Sequence, residues 1–135
     1  MTRLFIILGL VAALAVLATV EQVYIDRTYK HMIHETNVLL GVVAATPENE
    51  DKEAFFSENI KNRVDSLHKY WMKRERKMSI VTRYMELSYI SDALIYAQNF
   101  IHHHNKEEAS AGLERLRYLV TSYSEIYGIN FTNIL

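Results

Sequence analysis

The chain opens with an unbroken apolar block. No charged residue lies between Leu4 and Val20, and residues 23–25 continue the apolar character. About 17 to 25 predominantly apolar residues are enough to cross the hydrocarbon core of a membrane as a helix. The pattern therefore predicts a transmembrane anchor with a short N-terminal tail over residues 1–25, in which residues 4–25 contact the lipid bilayer.

A cleaved secretory signal is the competing interpretation of this block. Residues 16–18 offer small side chains at positions suited to a signal peptidase. However, no helix breaker precedes that site, and the helical pattern continues through it. We therefore expect the apolar segment to be retained as an anchor.

Beyond the anchor, apolar residues recur at steps of three and four, as expected for amphipathic helices. The spacing predicts a juxtamembrane helix over residues 26–45 and further helices at about 51–77, 79–103 and 106–127. In chain order, the apolar stripes are Tyr29, Met32 or Ile33, Thr36, Leu39 or Leu40 and Val43; then Phe56, Ile60, Val64, Leu67 and Trp71; then Leu87, Ile90, Leu94, Ala97 and Ile101; then Ala109, Leu113, Leu116, Val120, Tyr123 and Ile126 or Tyr127.

Capping residues indicate where these helices begin and end. Thr46, which precedes a proline, suits the start of a helix. Asn105, with an acidic residue three positions later, suits the start of the last helix, and Gly128 suits its end. Because the connections are short, successive helices are expected to be antiparallel neighbours. The predicted fold is all-α, with a single transmembrane helix that continues into a small antiparallel bundle over residues 46–135, ending in a short tail.

Composition narrows the classes of function. The 135 residues include 15 basic and 16 acidic side chains, which excludes a strongly basic nucleic-acid binder. There is no cysteine, so disulfides, cysteine-ligated metals and cysteine catalysis are excluded. No nucleophile elbow, glycine-rich phosphate loop or tuned pair of carboxylates is visible. We therefore expect neither enzymatic activity nor a cofactor.

Several features of the sequence together are similar to those of a known family. They are the N-terminal span, Asn49-Glu50-Asp51, Trp71 with Lys73, the apolar seam from Ile80 to Ile101, and the terminal Thr132-Asn133-Ile134-Leu135. In this layout the chain resembles the domain of unknown function 4363 family of short, membrane-anchored bacterial proteins. The resemblance implies bacterial origin and membrane attachment, and it implies no particular chemistry, since that family has no assigned activity.

Histidines are the first candidates for a chemical site. His31 and His34 share one helical face beside Glu35, a spacing that permits two imidazoles on one metal ion or a change of charge below pH ~6.5. No third ligand is near in sequence, so a solvated helix face is the simpler interpretation. The run of histidines at 102–104 lies at a predicted helix end. Consecutive helical side chains point about 100° apart, so these three cannot converge on one ion.

Two further sets of residues suit an interaction surface. Positive charges are concentrated around Trp71, and Lys73, Arg74, Arg76 and Lys77 are candidates for contact with anionic lipid headgroups or wall polymers. A solvated helix face is the simpler interpretation of this cluster. The aromatic residues among them suggest nucleic acid, but the slightly acidic chain argues against that partner. Tyr89 and Tyr96 share an outer helical face, which suits a protein interface. Alternatively, they cover the edge of the core against the juxtamembrane helix.

The sequence thus predicts a single-pass membrane protein whose helical bundle acts as a protein-interaction or structural module at the outer face of a bacterial membrane. Short N-terminal tails usually stay in the cytoplasm, which places the bundle outside the cell membrane. The expected partners are the bilayer and an unknown membrane or envelope protein. A second copy of the chain is a further candidate partner, and nucleic acid is not expected. The alternative function is a membrane-proximal metal or pH sensor that uses His31 and His34.

Overall fold

The computed structural model describes residues 1–51, 54–80 and 82–127, and its regular elements there are all α-helices. An isolated β-bridge between Glu48 and Ala54 lies outside them. The helices are α1 (Thr2–Ala45), α2 (Glu58–Met78), α3 (Tyr84–His102) and α4 (Lys106–Tyr127). The all-α prediction, with a long apolar N-terminal helix that continues into a bundle, is confirmed.

Helix α1 contains both the predicted anchor and the predicted juxtamembrane helix. Its 44 residues form one helix of about 66 Å. All side chains up to Glu21 are exposed, whereas from Ile25 onward one stripe of the helix is buried. That stripe consists of Ile25, Thr28, Tyr29, Met32, Thr36, Leu39 and Val43. We call residues 2–21 the stem, because they project from the bundle without contributing to its core.

The remaining part of α1 is one member of a four-helix bundle. Helix α1 packs against α2 and α4, and α3 packs against the same two helices, so α1 and α3 lie diagonally opposite each other. Cross-helix contacts show that neighbours are antiparallel. Along α1, Tyr24 meets Arg74 of α2 and Glu35 meets Arg63. Along α2, Asp65 meets Gln98 of α3 and Trp71 meets Ser91. The stem therefore leaves the bundle beside the C-terminal ends of α2 and α4. We call this the stem end, and the opposite end the distal end.

The predicted stripes meet in one hydrophobic core. The five stripe residues of α3 are all buried, as are the first four of α4. Trp71 of α2 is fully buried, and its indole Nε1 donates a 2.7 Å hydrogen bond to Ser91 Oγ on α3. A buried indole N–H needs such a partner, so this bond allows the largest side chain to lie at the centre of the core.

The predicted starts of α2 and α3 are wrong, and so is the predicted role of Thr46. Helix α2 begins at Glu58 rather than near residue 51, with the Ser57 side chain accepting from the Ile60 amide, and Thr46 ends α1 instead of opening the next helix. The reason is tertiary: Ala54 and Phe56 are buried in a non-helical approach to α2. Likewise, α3 begins at Tyr84 and not near residue 79.

The start of α4 agrees with the prediction from capping. Asn105 Oδ1 accepts a 3.0 Å hydrogen bond from the backbone amide of Glu108, which satisfies one of the free donors of the first turn. The helix begins at Lys106 and extends to Tyr127. The predicted C-terminal cap at Gly128 lies outside the described residues.

Candidate functional site

The stem end of the bundle brings Tyr24 and Arg27 of α1 close to Tyr70 and the basic residues of α2, which are Lys73, Arg74, Arg76 and Lys77. The Arg74 guanidinium of α2 lies 4.8 Å from the ring centroid of Tyr24 on α1 and 4.7 Å from that of Tyr70. Lys77 Nζ lies 6.0 Å from the Tyr24 centroid. Cations at these distances are attracted to the aromatic face, so the contacts hold the C-terminal part of α2 on α1.

Two open grooves lie on either side of this contact. The first, of about 530 Å³, joins the apolar residues Val20 and Val23 of α1 to Arg27, Tyr70 and Arg74. The second, of about 550 Å³, is lined by Tyr24, Met72, Lys73, Arg74, Arg76 and Lys77. The structure therefore places all four predicted basic residues at the stem end, around one tyrosine of α1.

Five cations of the stem end form no ion pair with a described residue, although the neighbouring Lys30 is paired with Asp26. Farther from the stem, Arg63 Nε lies 3.1 Å from Glu35 Oε2, and Lys61 Nζ lies 2.7 Å from Glu58 Oε1. Within the described chain, no carboxylate forms an ion pair with any of Arg27, Lys73, Arg74, Arg76 or Lys77. These five cations are therefore free of a direct ion-pair partner in the described chain and are open to an anionic ligand or surface.

A buried polar cluster lies just inside this end. The Tyr127 hydroxyl donates a 2.5 Å hydrogen bond to Glu86 Oε2, and this bond, with burial, raises the pKa of Tyr127. Burial and the nearby charge of Glu86 raise the pKa of Tyr29, whose fully buried hydroxyl has no hydrogen-bond partner among the described residues. These tyrosines stay neutral over the physiological range, so they add no negative charge beyond that of Glu86.

His31 and His34 do not form a site together with a third ligand. The His31 ring lies 4.1 Å from the ring of Tyr70, centroid to centroid, and His34 Nε2 lies 3.9 Å from Glu35 Oε1. Glu35 is already paired with Arg63. No group of three His, Asp or Glu side chains with a geometry suited to a metal ion occurs in the residues that the structure describes.

Tyr89 and Tyr96 both lie partly exposed on α3, at 42% and 43% of their full surface. The Tyr96 hydroxyl donates to a carboxylate oxygen of Glu108 on α4, and its ring packs beside Gly112. Because α3 does not contact α1 in the described chain, the tyrosines do not cover an edge against the juxtamembrane helix. That alternative is wrong; Tyr96 instead contributes to the contact between α3 and α4.

The outward side of α3 exposes more apolar residues than the sequence analysis predicted. Besides the two predicted tyrosines, Met85 and Ile95 are exposed there. No lysine or arginine occurs anywhere in Tyr84–His102, whereas every other helix contains several. Asp92 is also exposed on this side, so the features typical of a protein interface are the lack of lysine and the exposed tyrosines and methionine. The lack of lysine in α3 was the sequence signal that could have extended the predicted surface to Met85 and Ile95.

The histidines at 102–104 have structural contacts at the distal end. His102 Nε2 lies 2.7 Å from Asp65 Oδ1 of α2. His104, in a left-handed conformation with φ of 58°, accepts a 2.9 Å hydrogen bond from the Phe56 amide at its Nδ1. Its ring also stacks on Phe55. The run thus fastens the turn between α3 and α4 to α2 and to the segment that precedes α2.

Comparison with protein families gives a match that covers most of the chain. The family described as Domain of unknown function (DUF4363) matches residues 20–134. The chain belongs to the DUF4363 family. Comparison with curated proteins finds no match, and comparison with solved structures also finds none.

The DUF4363 match begins at the last turn of the stem and includes all described residues of the bundle. The stem precedes it almost entirely. By length and hydropathy, α1 qualifies as a helix that could cross a membrane, and the qualifying window is fully exposed. In this DUF4363 protein, the N-terminal helix is therefore compatible with a membrane anchor or with a signal sequence.

Proposed function

We propose that this DUF4363 protein is a single-pass membrane protein whose bundle serves as a protein-interaction or structural module at the outer face of a bacterial membrane. The stem supports the anchor: its side chains are exposed, and apolar residues occupy every side of the helix. A helix of that length rises about 30 Å, which matches the hydrocarbon thickness of a bilayer.

The observation that carries the proposal is the continuity of α1. The same helix runs from the stem through the core to Ala45, with no proline in it. Because the helix is continuous, the axis of the bundle follows the axis of the stem. The stem end then lies at the membrane, and the distal end lies about 35 Å away from it. Confinement to the membrane surface raises the effective concentration of the bundle for partners in the same membrane.

The outward side of α3 is the surface that we propose for a protein partner. It lies diagonally opposite α1, and its exposed apolar side chains include Tyr89 and Ile95. A membrane protein beside the bundle, including a second copy of the chain, would meet this face laterally. Tyr96 is a less direct contact because it also packs against α4.

Membrane insertion and orientation can be tested with single cysteines, since the natural chain contains none. Thr2→Cys and Glu107→Cys place one thiol at each end of the proposed topology. We expect a membrane-impermeant maleimide to label Cys at 107 in intact cells, and to label the position 2 variant only after lysis. Labelling of position 2 alone would reverse the orientation. Recovery of the chain in the soluble fraction after carbonate extraction would overturn the anchor.

The partner face can be tested by cross-linking in native membranes. Tyr89→Glu combined with Ile95→Glu introduces charge on the outward side of α3, and we expect any cross-linked species of the parent chain to decrease about tenfold. The control is Tyr118→Glu, which changes an exposed tyrosine on α4. Equal cross-linking by the parent and the α3 variant, with unchanged helicity by circular dichroism, would refute this face.

A further inference from the structure

We propose that the groove between α1 and the C-terminal part of α2 binds one anionic phospholipid. Its headgroup phosphate would lie between Arg27 and Arg74, and an acyl chain would follow Val20 and Val23 along α1. The inference rests on the proposed membrane anchor, and it adds a specific ligand to the stem end.

The position of the groove along α1 suits a lipid at the membrane surface. Val20 lies in the last turn of the stem, and Arg27 lies about 10 Å farther along the helix axis. Helical side chains lean toward the N-terminus, so the Arg27 side chain points back toward the stem. The headgroup layer of one leaflet is about 5–7 Å thick, and the guanidinium therefore falls at the depth of the phosphates.

The charges of the groove suit a headgroup with a net negative charge more than a zwitterionic one. Arg27 and Arg74 belong to the set of cations without an ion pair in the described chain. The planar guanidinium donates two parallel hydrogen bonds to phosphate oxygens. Since the rings of Tyr24 and Tyr70 already hold Arg74, less conformational freedom is lost when the ligand binds.

The apolar residues of the stem end favour a lipid over a soluble phosphate. Val20 and Val23 form a wall of the groove that is continuous with the exposed apolar surface of the stem. On another side of Tyr24, Ile80 of the turn after α2 is 85% exposed and shares a cleft with Val20. An exposed isoleucine at the level of the stem is stabilised by acyl chains and not by water.

Native mass spectrometry of the full chain released from mixed bilayers tests the site. Nanodiscs would contain equal amounts of phosphatidylglycerol and phosphatidylcholine, and the readout is the ratio of the two lipids retained per protein. We expect the parent chain to enrich phosphatidylglycerol, and Arg27→Gln with Arg74→Gln to reduce the enrichment about tenfold or more. The matched control, Arg115→Gln with Arg117→Gln, removes the same charge from the exposed side of α4 and should retain the enrichment.

The remaining outcomes separate the ligand from the anchor. Equal retention of the two lipids by the parent, or unchanged enrichment in the Arg27 and Arg74 variant, would overturn the lipid site. Inorganic phosphate that displaces the retained lipid at millimolar concentration would assign the groove to soluble phosphates instead. If the double variant does not fold, Arg27→Gln alone carries the test, because Arg27 is exposed. A variant that remains in membranes after carbonate extraction but loses enrichment leaves the anchor intact, whereas a parent chain that is extracted refutes the anchor itself.

Discussion

The two parts of α1 have the same secondary structure and opposite surroundings. Leu10 in the stem is 60% exposed, whereas Leu39 in the bundle part has no exposed surface. The stem is apolar on every side, and the bundle part is apolar along one stripe only. Backbone hydrogen bonds form in both parts of the helix. The distribution of apolar side chains around the helix decides what each part packs against. Whether a helix forms and where it packs are therefore separate questions.

Removing a leucine from each part should give the largest contrast. Leu39→Ala leaves a cavity in the core, and we expect it to lower the free energy of unfolding by about 2–5 kcal/mol. Leu10→Ala should leave that free energy unchanged, because Leu10 contacts nothing in the bundle. Denaturant unfolding of the full chain in mild detergent, followed by circular dichroism, measures both. Equal destabilisation by the two variants would break the comparison.

A charge in the stem should affect insertion and leave the bundle folded. Leu10→Arg places a cation near the middle of the proposed span, which costs about 2.5–3.5 kcal/mol for insertion. We expect less chain in the membrane fraction and an unchanged unfolding midpoint of the bundle. Tyr118→Arg serves as the control, since it adds the same charge to an exposed position of α4. Normal insertion of the Leu10 variant would contradict the anchor.

Glycines distinguish tight packing from open surface. A Cβ at Gly112 would lie 2.8 Å from Tyr96 Cδ1 and 3.0 Å from the backbone of Ala97, so Gly112→Ala should cost about 1–3 kcal/mol. Gly41 in the bundle part of α1 has nothing within 4 Å of such a Cβ. Gly41→Ala should therefore stabilise the helix, by about 0.5–1 kcal/mol. Thermal unfolding of both variants checks the opposite signs. A Gly112→Ala variant as stable as the parent would refute the close approach of α3 and α4, and a destabilised Gly41→Ala variant would contradict the open surface at Gly41.

The smallest expected effect concerns Asp65. Burial alone would raise its pKa, but hydrogen bonds from Gln98 and His102 outweigh burial and lower it. A lowered pKa in the folded chain stabilises the fold above pH ~4, and this stabilisation is lost as the pH falls through the folded value. Asp65→Asn should thus lower the free energy of unfolding by about 1 kcal/mol or less at pH 6, with a smaller difference below pH 4.

The control for this prediction is Glu50→Gln, which changes an exposed carboxylate that lies outside the helices. We expect it to change stability little over the same range of pH. Chemical unfolding at several pH values compares the two variants. A difference between parent and Asp65→Asn that grows toward acid pH would contradict the proposed role of the carboxylate.

Much of each helix could be predicted from the sequence, but not its exact neighbours. Spacing left Met32 or Ile33, and Leu39 or Leu40, as alternatives for the core, and packing selects Met32 and Leu39. These choices differ by one residue, or about 100° around the helix, so they depend on where the adjacent helices lie. The start of α2 was predicted too early for a related reason, since buried contacts of Phe56 compete with helix formation.

By itself, the sequence determined the helical class, the apolar stem and the stripes that form the core, because these features depend on the order of side chains along one helix. Only the tertiary structure decided that Arg74 lies on Tyr24 and that Tyr96 contacts α4. Contacts between helices depend on crossing angle and axial position, which arise when several stripes are buried at once. The groove at the stem end is therefore a property of the folded bundle, although each of its residues is visible in the sequence.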